Sequence, residues 1–316
     1  MSHACKTDTL IDRAHMLRSA RNFFFEKGVV EVDTPLLSHA APVDAHIDVM
    51  SLSFKDGSKG YLHTSPEYAM KRLLAQGMKD IYQLSHVYRE EEIGPLHNPE
   101  FTMVEWYRLG IDLLQMIEET EDFIRLFPGD LPTEKITYRE ALIKYANLDY
   151  ISASTHEIHE CAGSHGLVLS KEAAHWDKDT LLQALMSFIV EPHLGENTLT
   201  TIYQFPASQA ALAKTATINH ETVASRFEIY YKGIELANGY HELTNASEQR
   251  RRFNESNQKR VLLGKEQLKI DENLLAALEQ GLPDCCGVAV GFDRLMLLRH
   301  DKKTLAEILP FSWHNA

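Results

Sequence analysis

The hydrophobic positions near the start of the chain predict a helix followed by an extended segment. Apolar residues recur at helical spacing from Leu10 to Phe24, and Asp8 or Thr9 is placed to cap this helix. Gly28 is placed to end it, because glycine tolerates the left-handed backbone of a helix terminus. Residues 29–34 have an extended pattern, and the proline that follows pushes the residue before it away from helical dihedrals.

Two strand-like runs, residues 81–91 and 100–108, form the most distinctive pattern in the chain. Prolines at positions 95 and 99 break the sequence between them, each beside a residue typical of turns. We therefore predict an antiparallel pair joined by a loop. Upstream, the sequence from Ser65 to Glu67 suits the start of a helix over Tyr68–Gln76, so capping is one interpretation of its serine and glutamate.

Ionisable side chains are concentrated on one face of this predicted hairpin. Side chains alternate between faces along a strand, so Arg89 and Glu91 share a face of the first run. Phe101, Glu105 and Tyr107 share a face of the second. Buried charges have to be paired or used, so this concentration favours a functional face over the alternative, a solvated polar surface.

The rest of the chain alternates helical and strand-like patterns. We predict helices at Tyr138–Ala146, Ser154–Gly163 and Asp179–Ile189, and a strand near residues 200–204. From position 225 the pattern is strand-like, with a tight turn at the Lys-Gly step 232–233. The Asn-Gly step 238–239 tolerates positive φ and predicts a second turn, flanked by Glu235 and Glu242. A charged helix over residues 246–264 follows, and then small residues at 287–291 lead into a helix near Arg294.

Composition and charge exclude several classes of protein. The formal net charge is −13 and the pI is about 5.6, which argues against a protein that wraps nucleic acid with a basic surface. The sequence has neither a signal peptide nor an apolar run near the ~20 residues of a membrane span. Cysteines at 5, 161, 285 and 286 form no C-x-x-C pair, which predicts a reduced, cytoplasmic protein.

For two further groups of charged residues we favour a solvated helix face over a functional site. His156, Glu157, His159 and Glu160 lack the H-E-x-x-H spacing of a zinc site, so a solvated helix face is preferred to a metal site. The arginines at 250–252 alternate with acidic and amide residues. They suit a solvated helix better than a basic footprint for an acidic partner.

Three segments together resemble class II aminoacyl-tRNA synthetases. The sequence R-E-E at 89–91, followed by H-N-P-E-F-T-M-V-E-W-Y at 97–107, resembles motif 2 in its lysyl version. The helix, glycine and E-V-D-T-P near the start resemble motif 1, and G-V-A-V-G-F-D-R-L at 287–295 resembles motif 3. The chain is most similar to the short lysyl-tRNA synthetase paralogues that modify elongation factor P.

The resemblance implies a fold and an assembly. We expect an α+β protein with a class II synthetase catalytic core, mainly an antiparallel β-sheet flanked by helices. It implies a single catalytic domain over residues 1–316, with a variable helical insertion at about 138–212 and no N-terminal anticodon-binding OB domain. In this family the motif 1 region forms the dimer interface, so a homodimer is expected.

The resemblance also implies an ATP site that works with Mg²⁺. Guanidinium groups suit a triphosphate because they are rigid, bidentate and always charged, which makes Arg89 and Arg294 the expected catalytic residues. Glu235 is expected to serve the Mg²⁺ held by ATP. The implied ATP-binding residues are Arg89, Glu90, Glu91, His97, Asn98, Phe101, Glu235, Leu236, Gly291 and Arg294.

The implied amino-acid site is acidic. In the family, the residue matching Glu67 holds the substrate's amino group and the residue matching Glu242 holds its side-chain amine. A pocket with Glu67, Glu105 and Glu242 has unpaired negative charge that a cationic ligand would satisfy, so lysine or (R)-β-lysine is expected. The implied substrate-binding residues are Ser65, Pro66, Glu67, Glu105, Tyr107, Asn238, Glu242 and Ala289.

The expected acceptor is elongation factor P, and tRNA is not expected as a partner. The synthetase-like core begins almost at residue 1, which leaves no room for an anticodon domain of ~70 residues. In addition, Ala289 stands where lysyl-tRNA synthetases usually carry glycine, and in the paralogues this alanine accompanies a preference for (R)-β-lysine. A truncated lysyl-tRNA synthetase and an inactive synthetase-like regulator remain as alternatives.

Overall fold

The computed structural model describes residues 7–90, 92–169 and 176–316, which form two compact units. The first unit comprises Met1–Asp112, Asp122–Gly129 and Glu242–Ala316. The second comprises Leu113–Glu121 and Asp130–His241. The single catalytic domain expected from the sequence stays a prediction.

The described elements alternate along the chain. The helices are α1 Thr7–Glu26, α2 Glu67–Ala75, α3 Leu113–Arg125, α4 Tyr138–Ala146, α5 Thr155–Ser164, α6 Lys178–Leu185, α7 Ala246–Leu262, α8 Glu272–Gly281 and α9 Phe292–Arg299. The strands are β1 Val30–Glu31, β2 Leu37–Ser38, β3 Ser51–Ser53, β4 Lys59–Leu62, β5 Ile81–Tyr88, β6 Glu100–Leu109, β7 Thr133–Thr137, β8 Leu199–Pro206, β9 Thr215–Ile218, β10 Glu221–Tyr231, β11 Ile234–His241 and β12 Cys285–Gly291.

The first unit is built on a sheet with the strand order β1-β5-β6-β12. Its strands pair antiparallel except for β1 on β5. Helix α1 ends before Gly28, whose φ is +69°, as predicted. Phe24 of α1 stacks on Tyr82 of β5 at a centroid distance of 4.2 Å, which attaches this helix to the sheet. A small sheet of order β2-β4-β3 lies in the same unit.

The predicted hairpin is confirmed, but its first strand is shorter than expected. Strand β5 ends at Tyr88, so the prediction that Arg89 lies on a strand face is wrong. The backbone N–H of Arg89 still donates to the carbonyl of Pro99 at 2.9 Å. The ladder stops there because proline has no N–H to return a bond. Glu91, expected on the same face, lies outside the described residues.

The second unit holds the predicted helical insertion and strands that pair in the order β11-β10-β8-β7, with β9 on β10. Helix α4 has the predicted bounds, and α5 and α6 begin within one residue of their predicted starts. Capping boxes at Thr137 with Glu140 and at Ser154 with Glu157 account for the starts of α4 and α5. The strands of each unit pair mainly antiparallel, which confirms the predicted α+β class.

The two turns predicted in residues 225–243 have different outcomes. The turn at Lys232 and Gly233 is confirmed, with φ of 51° and 69°. The prediction of a turn at Asn238 and Gly239 is wrong, because both residues lie inside β11 and pair with β10. Pairing with β10 imposes an extended backbone, although this dipeptide would tolerate a turn.

The charged residues that we predicted to lie on solvated helix faces form hydrogen bonds and ion pairs with nearby residues. Arg250 makes two contacts with Glu272, at 2.8 and 2.6 Å, and Arg251 and Arg252 both bond to Glu248. Glu157 serves the start of α5. In the described part of the chain, every helix is too short or too polar to cross a membrane.

Candidate active site

The first unit gathers most of the predicted site residues into two groups. We call Ser65, Glu67, Lys71, Glu105, Tyr107 and Glu242 the carboxylate cluster. We call Arg89, His97, Phe101 and Arg294 the arginine face. Glu235, Leu236 and Asn238 lie in the second unit.

Glu105 is a buried acceptor of the carboxylate cluster. It lies on β6 with its side chain buried, and each of its oxygens accepts one hydrogen bond. Ser65 Oγ donates to Oε2 at 2.6 Å, and the Tyr107 hydroxyl donates to Oε1 at 2.7 Å. Ser65 Oγ also accepts from the backbone N–H of Glu67 at 3.0 Å. Ser65 therefore both supports the start of α2, whose first flanking residue is Pro66, and fixes the Glu105 carboxylate.

The other two carboxylates of the cluster share a lysine. Lys71 Nζ lies 2.6 Å from Glu67 Oε1 and 2.6 Å from Glu242 Oε2. The pocket expected from the sequence included no cation of its own, whereas this buried ammonium pairs with two of the three carboxylates. Three carboxylates and one ammonium, when all are ionised, still leave two excess negative charges in the cluster.

The enclosure of the cluster shifts its proton affinities. Burial, reinforced by the charge of Glu67, raises the pKa of Glu105 to about 7. Burial raises the pKa of Glu242 to about 8, although the ammonium of Lys71 opposes the shift. A bound cation would lower both pKa values by favouring the ionised forms.

Strand β12 closes one side of the carboxylate cluster with small residues. Gly287 pairs with Tyr107, and a Cβ at position 287 would lie 2.4 Å from the Tyr107 ring and 2.5 Å from Glu242 Oε1. Only glycine fits at this position. Ala289 pairs with Glu105, so its methyl group points to the same face of the sheet as that carboxylate.

The arginine face begins where the hairpin loop leaves β5. The guanidinium of Arg89 lies over the Phe101 ring, 5.1 Å from its centroid, and 3.6 Å from a Glu92 oxygen. Phe101 was expected to offer a flat face to adenine, whereas Arg89 covers that ring here. Arg89 Nε is buried and has no hydrogen-bond partner, so this guanidinium keeps an unused donor.

His97 and Arg294 meet on the other side of this loop. Arg294 Nη2 lies 2.9 Å from His97 Nε2. Desolvation, together with the positive charges of Arg294 and Arg89, lowers the pKa of His97. The imidazole is therefore neutral near pH 7 and can accept from Arg294.

Arg294 is carried by the first turn of α9, and its neighbour anchors that helix to the sheet. Asp293 Oδ2 accepts from the backbone N–H of Thr102 at 2.7 Å, and Asp293 Oδ1 accepts from Arg13 at 2.5 Å. Gly291 caps α9, and a Cβ there would meet only the Arg294 side chain, at 3.7 Å. The strand-to-helix junction predicted near Arg294 is confirmed.

Two other predicted ATP residues hold the loop itself. Asn98 Nδ2 donates to the carbonyl of Glu100 at 2.7 Å, and its Oδ1 accepts from the Trp313 N–H at 2.9 Å. The backbone N–H of Glu90 donates to the Asp48 carbonyl at 3.0 Å, while its side chain is exposed. The roles of Asn98 and Glu90 in binding ATP stay predictions.

The second unit carries the remaining predicted residues on β11. Asn238 donates to Glu228 Oε1 at 3.1 Å, and the side chain of Leu236 is buried. Burial, with the charges of Glu228 and Glu235, raises the pKa of Glu191 in this unit to about 7. In the described residues no three His, Cys, Asp or Glu side chains group as a metal site.

Lys71 is the site residue that sequence reasoning missed. A lysine four residues after a glutamate is the usual pattern of an exposed helix pair, so this spacing by itself does not indicate a site residue. A usable signal was its position among Tyr68, Met70 and Leu74, which are all buried on α2. A charged residue on an apolar helix face needs a buried partner.

The chain matches the family described as tRNA synthetases class II (D, K and N) over residues 3–315. A curated protein from Edwardsiella ictaluri, named Elongation factor P--(R)-beta-lysine ligase, is 47% identical over 309 residues, which cover 96% of this chain and 94% of that protein. A protein of the same name from Salmonella typhi is 46% identical over the same shares. These similarities span both units.

Proposed function

The chain belongs to the class II tRNA synthetase family of the D, K and N type, and from this premise we propose that it is an ATP-dependent ligase. It activates (R)-β-lysine as an aminoacyl-adenylate and transfers the aminoacyl group to the ε-amino group of a lysine on elongation factor P. The observation that carries this proposal is the carboxylate cluster, whose two excess negative charges suit a diamino acid. The relatives with the matching printed name support it.

The carboxylate cluster selects the substrate by charge. Glu67 accepts the amino group near the reacting carboxylate, and Glu242 accepts the distant amine. Glu105 adds the remaining carboxylate and is fixed by Ser65 and Tyr107. A monoamine would leave one buried carboxylate unpaired, which is costly, so substrates with one amine are rejected. We also assign Pro66, Asn238 and Ala289 to this substrate.

The arginine face binds the triphosphate and orients the reacting groups. The substrate carboxylate attacks the α-phosphate of ATP and displaces pyrophosphate, and the acceptor ε-amine then attacks the acyl carbon and displaces AMP. Arg89 contacts both the carboxylate and the α-phosphate, and Arg294 holds the triphosphate from α9. Two guanidinium groups offset the charge that builds up when the two anions meet. The proposed reaction needs no covalent nucleophile from the protein.

The residues on the arginine face fit such a ligand. Arg89 has a buried donor with no partner and lies over an aromatic ring large enough to stack with adenine. A phosphate would satisfy this donor and draw the guanidinium off the Phe101 ring. His97, Asn98, Gly291, Glu90 and Glu91 complete the proposed set on this side.

Mg²⁺ enters the proposal with ATP. Mg²⁺ is commonly held by one or two carboxylates together with substrate phosphates, so a site with one committed carboxylate is sufficient. We assign that role to Glu235 of the second unit and assign the backbone at Leu236 to ATP.

We also propose a homodimer through the motif 1 region. Apolar side chains are exposed there, among them Phe25, which is 82% exposed, Val30 and Leu37. Monomeric proteins seldom expose several large apolar side chains in one region. Light scattering of the purified protein checks the mass of the assembly.

The acceptor is tested by mass spectrometry. Purified protein, ATP and (R)-β-lysine are incubated with elongation factor P, and in parallel with tRNA. We expect elongation factor P to gain the mass of one lysyl group and tRNA to stay uncharged. Charging of tRNA without modification of elongation factor P would contradict the proposal and favour a truncated lysyl-tRNA synthetase.

A further inference from the structure

Lys71 lies at the centre of the carboxylate cluster and is enclosed on all sides. Its side chain is only 1% exposed, and α2 carries it one turn beyond Glu67. Its Nζ bridges Glu67 Oε1 and Glu242 Oε2, each at 2.6 Å. Each of these carboxylates therefore has one oxygen on Lys71 and a second oxygen that can bind another cation.

The titratable groups around Lys71 come from several elements. Glu67 shares α2, Glu105 and its partner Tyr107 come from β6, and Cys285 comes from β12. Glu242 is tied to the same strand, because its backbone N–H donates to the Cys285 carbonyl at 3.0 Å. Among these groups, all described by the structure, Lys71 is the single cation.

A purely structural role does not account for this arrangement. A buried ion pair is a weak source of stability, because desolvation of both ions offsets their attraction. A methionine in place of Lys71, together with one neutral partner, would fill the same volume without charge. What the lysine adds is a fixed position for two carboxylates and the removal of one negative charge.

We propose that Lys71 is a positioning residue that sets the charge of the carboxylate cluster to match a substrate with two ammonium groups. The inference rests on the proposed function and names a residue that acts through Glu67 and Glu242. With Lys71 present, the bound diamino acid brings the cluster to neutrality. Without it, one buried carboxylate is left over, and that carboxylate has to take up a proton before substrate binds.

The test compares three variants in ATP–pyrophosphate exchange. Lys71→Met removes the charge at similar length. Lys71→Met with Glu67→Gln removes one charge of each sign and restores the net charge. Lys59→Met is the matched control, because Lys59 is an exposed lysine paired with Glu266 at 2.9 Å. The KM for (R)-β-lysine and kcat are measured over about pH 6 to 9.

For Lys71→Met we expect KM to rise about tenfold, with kcat changed by less than about threefold, because the lost interaction acts on binding. The acid limb of kcat/KM should move up by about one pH unit, since an excess carboxylate holds its proton more tightly. The double variant should return the limb to its wild-type position. Lys59→Met should match the wild type in KM and in pH profile.

The outcomes separate this inference from the proposed function. If Lys71→Met has the wild-type KM and pH limb and only a lower Tm, the lysine is structural and the inference is wrong. If the single variant does not fold, the double variant decides, since a displaced acid limb there overturns the charge account. If the wild type itself exchanges no pyrophosphate with any lysine isomer, the proposed function fails and this inference fails with it.

Discussion

The carboxylate cluster and the arginine face lie in the same unit and are built in opposite ways. In the cluster, Glu105 and Glu242 are buried, and their partners lie 2.6 or 2.7 Å away. On the arginine face, Arg89 is partly exposed and is held by a ring 5.1 Å away and a carboxylate 3.6 Å away. The side chains of the carboxylate cluster are fixed by short contacts before a ligand binds, whereas the longer contacts of Arg89 hold it only loosely.

This difference separates selection from chemistry. A rigid, desolvated cluster discriminates between substrates, because each unsatisfied group in it carries a large cost. Loosely held cations can shift to meet phosphates, and their strongest interactions can form in the transition state. Changes in the cluster should therefore affect both folding and binding of the amino acid, while changes on the arginine face should affect ATP binding and catalysis but not folding.

The largest expected effect is that of Arg89→Ala. Removing a guanidinium that offsets developing charge should lower kcat/KM in pyrophosphate exchange by about 10²–10³-fold. Its contact with Phe101 is partly exposed and worth about 0.5–1 kcal/mol, so Tm should fall by no more than about 2 °C. A matched control is Arg250→Ala, which removes an exposed arginine paired with Glu272 and should leave exchange unchanged. A large drop in Tm with Arg89→Ala would contradict the claim that Arg89 is loosely held and contributes little to stability.

Two glycine substitutions test whether the carboxylate cluster is packed more tightly than the arginine face, and their expected effects are smaller. Gly287→Ala places a methyl group 2.4 Å from the Tyr107 ring and 2.5 Å from Glu242 Oε1. Overpacking of this kind costs about 1–3 kcal/mol, so KM for (R)-β-lysine should rise about tenfold and Tm should fall by a few degrees.

Gly291→Ala is the matched control on the arginine face. Its methyl group would meet only Arg294, at 3.7 Å, which is an ordinary contact. We expect an unchanged Tm and an unchanged KM for (R)-β-lysine, with any loss confined to KM for ATP. Equal losses of Tm in the two variants would show that the cluster is no more tightly packed than the arginine face.

The smallest expected effect is on the pH dependence of stability. The pKa values of Glu105 and Glu242 in the folded protein, about 7 and about 8, lie above the ordinary value of 4.5. At pH values between the ordinary and the folded pKa, the folded protein therefore binds more protons than the unfolded chain. Stability is therefore highest below that range and falls as pH rises towards 8. Thermal melts should show Tm falling by a few degrees between about pH 5 and 8.

Glu105→Gln should make this decline shallower, whereas Glu191 of the second unit contributes equally in both proteins. Saturating (R)-β-lysine should also flatten the decline, because its ammonium groups lower the pKa values of the cluster. A decline unaffected by both changes would place its origin outside the cluster.

The sequence predicts the scaffold of the site well and its internal pairing poorly. The hairpin of β5 and β6 is recoverable because proline, turn residues and alternation are local signals. The end of β5 at Tyr88 is not, since it depends on Pro99, the residue that precedes the partner strand β6. Likewise, Asn238 and Gly239 suit a turn locally but lie in β11, where pairing with β10 decides their conformation.

Lys71 shows the same limit within the site. Its spacing from Glu67 is an ordinary helix pattern, and its second partner, Glu242, is distant in sequence. Only the fold brings these groups together. Similarly, Phe101 is predictable as an aromatic plate, but the guanidinium that covers it is not.

The central claim is that the carboxylate cluster selects a substrate with two ammonium groups. The most direct measurement is pyrophosphate exchange by the wild-type protein with (R)-β-lysine, α-lysine and an analogue of (R)-β-lysine that lacks the distant amine. We predict exchange with (R)-β-lysine, weaker exchange with α-lysine and none above background with the monoamine. Exchange with the monoamine at a rate equal to that with (R)-β-lysine would contradict the account.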